Sequence, residues 1–161
     1  MNFRNGPLTA ETENRLALMI IGALLLRSIA PTAIVTVAVL WFIALQSCFS
    51  YLTAGIVKLA DKDWRNGMGI FNIVNSSNLA AYKSHAFFLN KHPAAGKFLT
   101  WATLGFECTF PLVLIIGKPF FILFLIGGVL FHLAIAVMLR LNKFFWVWIA
   151  TYPAIIFIAQ R

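Results

Sequence analysis

No side chain between positions 31 and 57 is charged, and the first to be so, Lys58, sits at the end of a run that stays otherwise apolar to position 59. Wound as a helix, such a run is about 40 Å long, more than the roughly 30 Å of a bilayer's hydrocarbon core. It must tilt in a membrane or project from it at one end, and Lys58 lies at that end. Three further runs, 98–117, 119–139 and 144–160, repeat the pattern, and 61% of all residues are hydrophobic against 11% charged. A soluble domain could not cover so much apolar side chain. The expectation is therefore an all-α, polytopic transmembrane helical bundle with four spans. At 161 residues the chain reads as a single transmembrane domain with no room for a separate soluble one.

The segment 16–26, between Arg15 and Arg27, would cover only about 16 Å as a helix and is expected to lie at the interface or to cross as a fifth span with help. Positions 61–97 form the one long polar stretch. Within it "AAYKSHAFFL" reads as a short amphipathic helix, with Ala81 and Phe88 on its apolar side and Lys83 and Asn90 toward water. Lys118 and Pro119 predict a tight turn, and positions 140–143 a basic one. Such short turns force antiparallel neighbours, so the 61–97 loop and the 140–143 turn share one membrane face. That face holds Lys62, Arg65, Lys83, Lys91, Lys97, Arg140 and Lys143, and the positive-inside rule makes it cytoplasmic. A bacterial inner membrane is the expected location.

The formal charge of +8 thus reports orientation and contact with anionic lipid headgroups, and leaves no nucleic-acid footprint. Cys48 and Cys108 lie inside apolar runs and outside any C-x-x-C pair, which argues against thiol-disulfide exchange. The amino terminus carries both charge signs and lacks the layout of a cleaved signal peptide.

Ionisable groups inside a span cost roughly 3 kcal/mol or more at mid-depth and mark function by default. Glu107 and His132 are the clear cases. Counted inward from the basic face, Glu107, His132 and Tyr152 each lie about 12–14 Å deep, so three spans are expected to bring polar groups to one layer. The bland alternative is that they pair as glue between helices, with Pro111 freeing a carbonyl one turn after Glu107. Lys58 divides in the same way. It is either an anchor whose ammonium reaches out to water or an amine held where its proton is easily lost. His85 and His92 share a helix face but lack cysteine or carboxylate company, so no metal site is expected. Trp64, Trp101, Trp146 and Trp148 read most simply as an aromatic belt at the headgroups.

Two stretches together resemble a known family. The pattern Q-x4-Y-L-x-A-G-I-x-K-L-x3-D-W-R-N-G at 46–67 is similar to the signature of the HTTM domain family, membrane proteins related to vitamin K-dependent gamma-carboxylase. F-H-x9-N-x-F-x3-W-I-A-x-Y-P at 131–153 resembles that family's next landmark, in the correct order. The resemblance covers about residues 40–155 and corresponds to the C-terminal half of the family's membrane domain. It implies that Lys58 acts as a base toward a lipid quinone in its hydroquinone form, and that His132 matches a family histidine. Glu107, Tyr152, Tyr51, Asp63, Trp64 and Arg65 would then line the substrate, with Asp63 and Arg65 tuning the lysine.

The function expected from this is an enzyme-like membrane protein that binds a lipid quinone or similar apolar redox molecule and helps modify or mature a peptide. It would work with a partner membrane subunit or as a homo-oligomer. A non-catalytic subunit that completes a partner's helical bundle is the alternative from another class. A four-span protein of the DoxX or MauE type is a third, since its A-G-x-x-K start is similar to positions 54–58, although such proteins lack the W-R-N-G and F-H landmarks.

Overall fold

The computed structural model describes residues 6–76, 80–117, 120–139 and 141–160. Nine helices occur among them: α1 (Gly6–Ile29), α2 (Ala33–Ala60), α3 (Lys62–Arg65), α4 (Gly69–Ser76), α5 (Ala80–Lys91), α6 (Pro93–Thr109), α7 (Phe120–Leu139), α8 (Asn142–Ile149) and α9 (Tyr152–Ala159). No strand occurs among the described residues, so the all-α expectation holds. The turn expected at Lys118 and Pro119, and Arg140 of the basic turn, lie outside them.

Three helical stretches are long and apolar enough to cross a membrane: Ala33–Ala60, Phe120–Met138 and Asn142–Ala159. The remaining expected span, 98–117, takes a different form. Its α-helical part ends at Thr109, and the chain continues as a 3-10 turn over Phe110–Leu114. Pro111 is the cause, because it has no N–H to give to the Glu107 carbonyl four residues back. The segment 16–26, short when measured between its arginines, belongs to a single helix of 24 residues. Charge limits an apolar run, but it does not stop the backbone ladder.

The last apolar stretch is broken in the middle. Pro153 cannot donate to the carbonyl of Ile149, and the chain turns through Ala150 and Thr151 before α9 begins. Thr151 Oγ1 and N–H both donate to the Trp148 carbonyl, at 2.7 and 3.0 Å, and so satisfy backbone that the break would strand.

The chain divides into two compact units, one comprising Tyr51–Phe110 and the other drawn from the stretches before and after it. In the second, α8 packs on both α7 and α1. In the first, α4 lies on α5 and α6 through buried Phe71, Val74 and Leu89. Gly96 makes this possible, since a Cβ there would fall inside the Phe71 ring. Thr100, fully buried, donates from Oγ1 to the Gly96 carbonyl at 2.9 Å and accepts from the Ile70 N–H at 3.2 Å. On α5 the buried ridge runs through Leu89. Lys83, Phe88 and Asn90 are exposed.

Candidate functional site

Gly55 sets the approach of α2 to α6. A methyl at this glycine would sit 2.7 Å from Cys108 Sγ and 3.2 Å from Glu107 Cβ, so the two helices come together here with almost no side chain between them. Residues at i, i+4 and i+7 share a helix face, and on α2 these are Tyr51, Gly55 and Lys58. The close approach at Gly55 therefore carries Lys58, one turn on, straight to Glu107. Nζ lies 2.6 Å from both Glu107 carboxylate oxygens. The carboxylate is almost fully enclosed at 5% exposure, whereas the lysine side chain keeps an open edge at 18%. Two turns back along α2 from Lys58, buried Tyr51 stacks on Phe110 with ring centroids 3.8 Å apart and meets Phe106 edge-on at 5.8 Å.

Beside the pair lies the turn that follows α2. Asp61 caps α3, its carboxylate accepting from the Asp63 N–H at 2.7 Å. At the far end Gly67 adopts φ +77°, and the N–H groups of Gly67 and Met68 donate to the carbonyls of Trp64 and Asp63, at 3.0 and 2.8 Å. This is the Schellman arrangement, which requires a left-handed residue and so favours glycine. Arg65 turns back and donates from Nη1 to the carbonyls of Leu59 and Ala60, at 2.8 and 3.0 Å, which closes the last turn of α2. Asp63 accepts from Asn72 Nδ2 at 2.8 Å. Between these fastenings the Trp64 indole is buried to 4% exposure, its ring centroid 5.3 Å from Lys58 Nζ.

Of the residues singled out in the sequence, Lys58, Glu107, Trp64 and Tyr51 are therefore gathered in one place. Asp63 and Arg65 belong to the same turn, with their side-chain bonds directed to Asn72 and to the end of α2. Trp64 is buried against the lysine, so it does not belong to a headgroup belt; Trp101 and Trp146 are exposed, and Trp148 is buried. His132 and Tyr152 belong to the second unit. There His132, fully enclosed, stacks on Trp148 at 4.9 Å and 16° and meets Phe144 at 5.0 Å. Tyr152, also buried, opens α9 just past the break.

The sequence gives no packing role for Gly69, Phe106 or Phe110, and shows Gly55 only as a member of the 46–67 pattern. Gly55 carried a signal, a glycine three residues before a lone lysine. Among the described residues no group of three or more His, Cys, Asp or Glu is placed to hold a metal ion, and His92 at the start of α6 rests against the Phe88 ring.

The chemistry open to the pair is proton transfer. At 2.6 Å from both oxygens, the amine and the carboxylate are in direct hydrogen-bond contact, close enough for a proton to pass between them without a bridging water. Compared with known proteins, the chain matches no family model, no curated protein and no solved structure.

Proposed function

We propose that this is an integral membrane protein of the HTTM kind, with four crossings, in which Lys58 and Glu107 form a proton-accepting pair for an apolar redox substrate. The observation that carries this is the pair itself, an amine with an open edge held 2.6 Å from both oxygens of an enclosed carboxylate. Lysine anchors at a membrane rim have their ammonium in water, and this one turns inward instead. For the fourth crossing, α6 spans about 26 Å and its 3-10 extension adds about 10 Å, enough together for a hydrocarbon core.

The donor set suits a phenolic hydroxyl. The substrate class is a lipid hydroquinone, which would supply an acidic proton and reducing electrons. The chain's own part begins with the Lys58 proton passing to a Glu107 oxygen, which leaves the amine free to accept another. The carboxylate itself is held away from solvent, at 5% exposure. A peptide is the partner to be modified.

Reconstitution in vesicles carrying a naphthohydroquinone lipid tests this. Oxygen-dependent hydroquinone consumption should appear with the full-length protein and fall at least about tenfold in Lys58→Arg, since arginine keeps the charge but cannot give up its proton. Consumption unchanged in that variant would sink the base role.

A non-catalytic subunit is the second reading. It is favoured by an open apolar groove of about 480 Å³ lined by Gly22, Ala23, Ala38 and Phe42, where small residues admit close backbone approach by another membrane helix. Under that reading Lys58→Arg is tolerated and Gly22→Leu loses a co-purifying polypeptide.

A further inference from the structure

We propose that Trp64 is a positioning residue, which holds the Lys58 amine on Glu107 and keeps it from turning out to water. This deepens the pair's assignment as the working group and rests on it. A lysine ammonium has three donors on a flexible four-carbon stem. Two directions are taken by the Glu107 oxygens, at 2.6 Å each, and the indole covers another at 5.3 Å from its centroid. Remove the indole, and the stem is free to carry Nζ to the open edge, where water competes with the carboxylate.

The surrounding turn is built around that indole. Gly69 is bare where the ring lies, since a Cβ there would fall inside it. The helix that carries Trp64 is only four residues long, too short to persist alone. Its place is kept by the Asp61 cap, the left-handed Gly67, the Arg65 bonds to the end of α2 and the bond from Asn72 to Asp63. Four independent fastenings on so short a segment serve one group that reaches the pair, and that group is Trp64. The motif D-W-R-N-G thereby acquires a division of labour, the tryptophan on the amine and its neighbours on the backbone.

The test reads the amine directly, without needing turnover. Detergent-solubilised full-length protein is treated briefly with a water-soluble acetylating ester, and each lysine is quantified by mass spectrometry, with Lys62 and Lys83 as exposed references. Trp64→Ala should raise Lys58 acetylation on the order of tenfold relative to the references, while Trp64→Phe, which keeps an aromatic face, should stay within about twofold. Gly69→Ala pushes the ring aside with every side chain of the pair intact, and should act in the same direction as Trp64→Ala even where the latter folds poorly.

Lys58 acetylation unchanged in both Trp64→Ala and Gly69→Ala overturns the proposal, as does a rise shared equally by Lys62 and Lys83. The two assignments fail separately. Exposed Lys58 in these variants with undiminished turnover in Lys58→Arg leaves the positioning role standing and removes the base. Unmoved acetylation with lost turnover in Lys58→Arg does the reverse.

Discussion

At the residue scale, the Lys58–Glu107 pair concentrates the largest local energies. Removing one member of a fully buried pair costs roughly 3–5 kcal/mol, because the other is left charged and unpaired. Lys58 keeps an open edge, so its ammonium can recover some hydration, and Glu107→Gln should cost less, about 2 kcal/mol. Thermal unfolding in detergent measures this. The double variant Lys58→Met, Glu107→Leu should recover most of the loss, since two apolar groups of similar size leave no stranded charge. A double variant as unstable as the single one would show that packing, and not charge, governs the site.

Gly67→Ala forces a methyl-bearing residue to φ +77° and toward the Lys97 side chain, and should cost about 1–2 kcal/mol in the same measurement. These residues differ in how openly they declared themselves. Lys58 and Glu107 stood out because charge in an apolar run is expensive. That they meet depends on Gly55 lying opposite Cys108, a three-dimensional coincidence that spacing along one helix does not encode. Trp64 reads as a belt residue because flanking Asp63 and Arg65 imitate an interface, whereas both serve the turn.

At the element scale, the ends of helices carry more information than their middles. Arg65 supplies donors to two carbonyls at the end of α2, so Arg65→Ala should fray that turn. Hydrogen exchange should speed up roughly fivefold at amides near the end of α2, as expected for about 1 kcal/mol, and hardly at all near its start. Thr151 plays the matching part at the broken span. Its buried hydroxyl satisfies the Trp148 carbonyl, and Thr151→Val should lower stability by about 1–2 kcal/mol where an exposed threonine would not matter. Proline positions were legible in the sequence, but their consequences were less so. Pro111 converts a helix end to 3-10 geometry, and Pro153 splits a helix, because each withholds an N–H from the carbonyl four residues back.

At the scale of the whole molecule, apolar run length foretold the helices better than it foretold the crossings. Ala33–Ala60, Phe120–Met138 and Asn142–Ala159 answer to three of the four expected runs. The run at 98–117 is divided between α6 and a 3-10 turn, so its ability to cross rests on both pieces together. Whether it crosses sets the parity of everything after it. With four crossings, positions 62 and 143 are on the same side of the membrane; with three, they are on opposite sides. Single cysteines at Lys62→Cys and Lys143→Cys, both at exposed positions, can be challenged with a membrane-impermeant maleimide in sealed inverted vesicles and in intact cells. Half-buried Cys108 is replaced by alanine in both proteins, and enclosed Cys48 should stay silent in both preparations. Four crossings with the basic face inward require both new cysteines to react in inverted vesicles and neither in cells. If one reacts in each preparation, α6 does not cross, and Lys58 with Glu107 would then form a site at the membrane surface where an apolar substrate could not approach from within the bilayer.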